Sequence, residues 1–96
     1  MKVWVVFGNN GESYDDYAIW TDAVCATKEA AERWISERKE MYYRDDERDD
    51  ELQMLRCERD LTDAETEELR MIQHRNRHIH HISKVGFNIF EYDLFE

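Results

Sequence analysis

The chain has 96 residues, a formal net charge of −10, no proline, three glycines and two cysteines. That length makes one domain, residues 1–96, with a modest core, and its acidity disfavours direct binding of DNA, RNA or an anionic membrane, which needs Lys and Arg to displace counterions. The scarcity of Pro and Gly argues against a flexible linker or a many-turned β-sandwich, and 12% aromatic residues argue against plain disorder despite 38% charged residues.

The first stretch, KVWVVFG (residues 2–8), is β-branched and aromatic, which suits a strand. Val3, Val5 and Phe7 share one face and Trp4 and Val6 the other, so both faces are apolar and a central position is expected. NNGESYDD (9–16) reads as a polar turn, and its lone pairing of Gly8 and Gly11 lacks the basic cradle of a phosphate loop. YAIWTDAVC (17–25) reads as a second strand, antiparallel to the first.

The period changes at Thr27, a good N-cap followed by Glu29 and Glu32 in the first turns. Ala31, Trp34, Ile35, Met41 and Tyr42 recur at helical spacing and form a face that should lie on the sheet. Residues 44–51 are polar all round. Leu52 and Leu55 then resume the pattern, Leu55 in heptad phase with Trp34 and Met41, which favours a continuous helix over a break near Asp45–Asp50. Thr62 and Glu65 form a capping box that opens a second helix. Its Leu69 and Ile72 should meet Leu52 and Leu55 in an antiparallel hairpin, giving a helical arm over residues 27–82.

The chain ends in a third strand, within 84–94. Val85, Phe87 and Ile89 share one parity and Phe90, Tyr92 and Leu94 the other, which calls for a bulge or for cover on both faces. The expected fold is therefore α+β, a three-stranded sheet of order 2-1-3 in a ββααβ chain with a protruding helical hairpin. Its last strand is expected to run parallel to the first.

Residues 45–68 carry twelve acids against three arginines, a net charge of −9 that is nearly the excess of the whole chain. Such a run is either a solvated helix face or a surface that imitates a nucleic acid and fills a basic groove on another protein. The candidate partner-binding residues are Tyr42, Tyr43, Asp45, Asp46, Glu47, Asp49, Asp50, Glu51, Glu58 and Asp60, with the two tyrosines as aromatic anchors at the base. His74, His78 and His81 fall at i, i+4 and i+7 on the second helix, an exposed stripe at metal-ligand spacing, and form a weak candidate metal site; a mildly basic helix end is the plainer reading. The acids lie in solvated runs and no nucleophile is paired with a base, so neither an enzyme nor a cofactor is expected. Cys25 and Cys57 fall in a strand and a helix and are expected to be reduced thiols. No apolar run could cross a membrane, and MKVWVVFG lacks the features of a signal peptide, so a cytoplasmic location is expected.

The opening MKVWVVFGNNGESYDDYAIW, the helix start ATKEAAERWI and the ending FNIFEYDLFE together resemble short reading frames of bacterial phages and mobile elements. In size and charge the chain is similar to anti-CRISPR and other anti-defence inhibitors. The resemblance implies a non-enzymatic inhibitor in the host bacterial cell, bound to a basic nucleic-acid-handling protein such as a CRISPR effector. The alternative is a small homodimeric assembly or scaffolding module that pairs through its last strand or its hairpin.

Overall fold

The computed structural model describes residues 1–95. Lys2–Asn9 form strand β1, Ile19–Cys25 strand β2, Lys28–Glu58 helix α1, Asp63–Arg75 helix α2 and Gly86–Asp93 strand β3. The sheet has the order β2-β1-β3, so the ββααβ chain and its central first strand are as the sequence indicates. The first two strands begin and end close to the residues expected, although Tyr17 and Ala18 lie before β2.

The direction of the last strand differs from expectation: β3 runs antiparallel to β1, with Asn9 opposite Gly86 and Lys2 opposite Asp93. The reason is the unequal length of the two helices. At about 1.5 Å per residue, α1 with its 31 residues is about 46 Å long and α2 with 13 only about 20 Å. α1 starts beside Cys25, at the end of the sheet where β1 begins, climbs the sheet and overshoots it. α2 returns only as far as the top of the sheet, so β3 must descend from there. The overshoot also explains the shape, 57 × 29 × 20 Å with a radius of gyration of 16.6 Å, against about 12–13 Å for a compact chain of this size.

The 44–51 stretch is uninterrupted helix. Thr27 caps its start by accepting the Ala30 N–H at 3.1 Å, and the Thr62 capping box opens α2 as the sequence indicates. Leu52, Leu69 and Ile72 are buried between the two helices. Ala31 and Tyr42 are buried under α1 on the sheet side, and Tyr42 stacks on Phe87 of β3 with centroids 6.3 Å apart.

One irregularity sets the docking of α1. Between Val6 and Phe7 the β1–β2 register slips by one residue, because Val6 faces Ala23 and Phe7 faces Thr21. Asp22 is the extra residue of this bulge, and its carboxylate turns toward α1. There it accepts the indole N–H of Trp20 at 2.9 Å, the indole N–H of Trp34, and the guanidinium N–H of Arg38 at 3.0 Å. The side chain is only 3% exposed. Trp20 lies flat over Gly8 on the neighbouring strand, where an added Cβ would meet its ring at 2.6 Å. The bulge thus lies in the β1–β2 pair, while β3, where a bulge was one of two options, pairs in regular register.

A second buried polar residue holds the top of the sheet. Asn10 donates to the carbonyls of Asp16 and His78 and accepts the N–H groups of Glu12 and Ala18, tying the turn after β1 to the connection that leads into β3. Gly11 beside it has φ +69° and presses against the Lys84 carbonyl, leaving no room for a side chain.

Regular pairing leaves the second face of the sheet open. α1 covers the parity of Val6, Ile89, Phe87 and Trp20. The opposite parity, with Phe7, Ile19, Val24, Phe90 and Tyr92, faces away from both helices, and of its residues only Val3 on the central strand is buried. Phe7 and Phe90 meet edge-on there, with centroids 5.6 Å apart.

Asp22→Ala should strand two indole N–H groups and a guanidinium in a packed site and destabilise the fold by about 3 kcal/mol. Asp22→Asn, which keeps acceptor capacity but not the charge, should lose less, and denaturant unfolding of both variants checks the ranking. The Asp22 carboxyl sits below the ordinary value: burial pushes it up, but the Trp34, Arg38 and Trp20 donors outweigh burial. Its stabilisation is therefore complete above the usual Asp pKa of about 3.9 and is lost as pH falls through the lowered folded value. Acid unfolding of wild type and Asp22→Asn should converge there.

Candidate protein-interaction surface on the helical arm

The arm sorts its acids into two groups. Those facing α2 are consumed by a ladder of ion pairs along the seam. Asp45 is 8% exposed and receives two N–H groups of Arg75, at 2.7 and 3.0 Å, and one from Asn76 at 3.0 Å. Arg48 bridges Glu68 at 2.7 Å and Glu51 at 3.1 Å. At the tip Arg59 clamps Glu65 with two bonds of 2.9 Å, while Glu65 also accepts the Thr62 N–H. Glu67 pairs with Arg70 one turn along α2, on the exposed side of that helix rather than in the seam. Leu52, Leu69 and Ile72 are therefore only part of the seam, which is half polar and specified by charge.

The other group lies on the outward face of α1. At about 100° per residue, Tyr43, Asp46, Glu47, Asp50, Met54 and Glu58 fall on the side opposite Leu52, and all six are exposed. None of these four carboxylates has an ion-pair partner among the described residues. Asp60 is exposed at the tip, and Asp49 lies at the edge of the face, where Gln53 donates to it at 3.3 Å.

The ten candidate residues thus divide. Tyr42 is a core residue, 6% exposed, and cannot anchor a partner, whereas Tyr43 is free on the surface. Asp45 is a structural ion-pair residue, and Glu51 is held by Arg48. Asp46, Glu47, Asp49, Asp50, Glu58 and Asp60 remain available. The sequence shows that acids are abundant here but not which are spent, because Arg75 lies 30 residues from Asp45. Met54, half-hidden among the acids in sequence, joins Tyr43 as exposed apolar surface on the same face.

At the base, a groove of about 560 Å³ opens between α1 and the connection that follows α2. Asp46 and Asp49 stand on one wall and Arg77, His80 and His81 on the other. The histidines do not form the stripe expected of them. α2 ends at Arg75, since Asn76 turns out of helical geometry while bound to Asp45, and the Arg77 N–H folds back to the His74 carbonyl. His74 therefore lies on the helix, while His78 and His81 lie beyond it. Among the described residues no three His, Cys, Asp or Glu side chains are arranged to hold a metal ion, and no helix is long and apolar enough to cross a membrane.

The Glu65 carboxyl is held down to about 2, first by Arg59 and then by the Thr62 backbone N–H. Its contribution to the cap is present above the ordinary Glu value of about 4.3 and lost as pH falls toward 2. Arg75→Ala should leave the buried Asp45 carboxylate without a counter-charge and with only the neutral Asn76 donor, destabilising the protein by about 3 kcal/mol and loosening the arm before the sheet. Amide hydrogen exchange, faster in residues 63–75 than in β1, checks this.

Comparison of the chain with known protein families, with curated proteins and with solved structures gives no match.

Proposed function

We propose that the protein is a non-enzymatic binding protein whose acidic arm occupies a basic groove on a nucleic-acid-handling protein, in the manner of a nucleic-acid mimic. The observation that carries this reading is the density of charge along the arm. Residues 45–58 span about 21 Å of helix, and residues 59–68 fold back beside them. The net charge of −9 over this stretch is about one charge per 2–3 Å, between one strand of DNA at about 3.4 Å and a duplex at about 1.7 Å. Including Arg44, Arg70 and Arg75 lowers the charge of residues 43–76 to −6, still near the spacing of a single strand.

Rigidity supports the same reading. The ion-pair ladder fixes the hairpin, so the outward carboxylates stand in a set row without the ordering entropy a disordered acidic tail would lose on binding. Tyr43 and Met54 within the row supply the apolar contact that charges alone lack. The inhibitor role, and a CRISPR effector or other defence enzyme as the target, extend this reading along the resemblance in size and charge.

The test is capture of partners from a bacterial lysate, followed by salt and nucleic-acid competition. A mimic should release its partner at moderate salt and on addition of DNA or RNA. The informative variant reverses Asp46, Glu47, Asp50 and Glu58 to Lys and should abolish capture with helical content unchanged. Asp45 is left intact, because reversing it would break the pair with Arg75 and confuse unfolding with loss of binding. Undiminished capture by this variant would overturn the role of the arm.

A further inference from the structure

We infer that the open face of the sheet is a self-complementary surface on which a second copy of this chain packs, sheet against sheet. The face is built from alternate residues of all three strands, those whose parity points away from α1. Ile19, Val24, Phe90 and Tyr92 are 58%, 62%, 51% and 48% exposed, and Leu94, which continues their parity, is 49% exposed. Phe7 joins Phe90 at the centre. No position of this parity, from Met1 to Asn9, Ile19 to Val24 or Asn88 to Leu94, bears a charged side chain, in a chain of which 38% is charged. The charges of the sheet, Lys2, Asp22, Glu91 and Asp93, all belong to the parity of the helix-covered face.

Area and charge together select the occupant. At about 150–250 Å² per aromatic side chain, Phe90 and Tyr92 at half exposure offer about 100 Å² each. With Ile19, Val24 and Leu94 the patch reaches about 500 Å², so two copies would bury about 1,000 Å², the lower bound for a specific interface. A patch of this size equals the largest that a typical monomer exposes, and such patches are often functional. Having no charge, it has nothing to select a basic partner or hold an anionic lipid surface, and an uncharged apolar face matches its own copy across a two-fold axis.

The net charge of −10 does not oppose this pairing. Sheets pack about 10 Å apart and each helix lies about 10 Å outside its own sheet, so the two helix layers stand about 30 Å from each other. That is more than three screening lengths at physiological salt. The inference is independent of the arm's role, since the arm lies on the other side of the sheet. The two also respond oppositely to salt: sheet pairing should persist at a concentration that strips a partner from the arm.

Sedimentation equilibrium or light scattering across a dilution series tests the proposal. Wild type should show twice the chain mass of 11.7 kDa at high micromolar concentration, undiminished at raised salt, with a melting temperature that rises with concentration. Val24→Glu and Phe90→Glu, each at an exposed position, should be monomeric with unchanged circular dichroism. Hydroxyl-radical footprinting of wild type, which does not depend on any variant folding, should show Phe90 and Tyr92 becoming protected as concentration rises. A wild type that stays monomeric, variants that still dimerise, or labelling of Phe90 and Tyr92 that is the same at every dilution would each overturn the proposal.

Discussion

The buried carboxylate of Asp22 is the constraint on which the rest of the structure depends. An ionised group that far from water must be fully hydrogen-bonded, and three donors from three places in the chain converge on it: Trp20 from its own strand, and Trp34 and Arg38 from successive turns of α1. It reaches them only because the bulge in β2 turns it onto the helix side. Arg38 in turn lies over the Trp34 ring at 5.1 Å, so the charge, the two indoles and the guanidinium lock as one unit. This unit fixes the height of α1 on the sheet. With α1 anchored by its first turns, about four turns of it extend beyond Tyr42, its stacking contact with β3.

From that overshoot follow the arm, the elongated shape and the direction of β3. The free end of α1 needs cover for Leu52, and α2 supplies it with Leu69 and Ile72. So little apolar surface would hold a hairpin weakly, and the Asp45–Arg75, Arg48–Glu68 and Arg59–Glu65 pairs fix its register instead. With Arg48, Arg59 and Arg75 turned inward, the outward acids of α1 have no ion-pair partner among the described residues. The acidity of the exposed face is thus a product of how the hairpin is held together.

The molecule presents two surfaces of contrasting character, an acidic row on the arm and an uncharged apolar face on the back of the sheet. They respond to opposite conditions, because salt screens the first and leaves the second intact. They also lie on opposite sides of the β1–β2–β3 layer, so occupation of one leaves the other accessible.

Much of this was legible in the residues. The alternation in KVWVVFG, the Thr27 and Thr62 caps and the helical spacing of Ala31, Trp34, Ile35 and Tyr42 determine elements and order, because they are signals carried by residues a few positions apart. Even the uncovered face is visible in the opposed parities of Phe87 and Ile89 against Phe90 and Tyr92. Tertiary structure alone decided what depends on distant partners. Asp22 reads as an ordinary polar strand residue, and Asp45 as one acid among twelve, until Arg38 and Arg75 are brought to them. The direction of β3 was decided by where α2 stops, and α2 stops where Asn76 binds Asp45, a contact across 31 residues that no local pattern encodes.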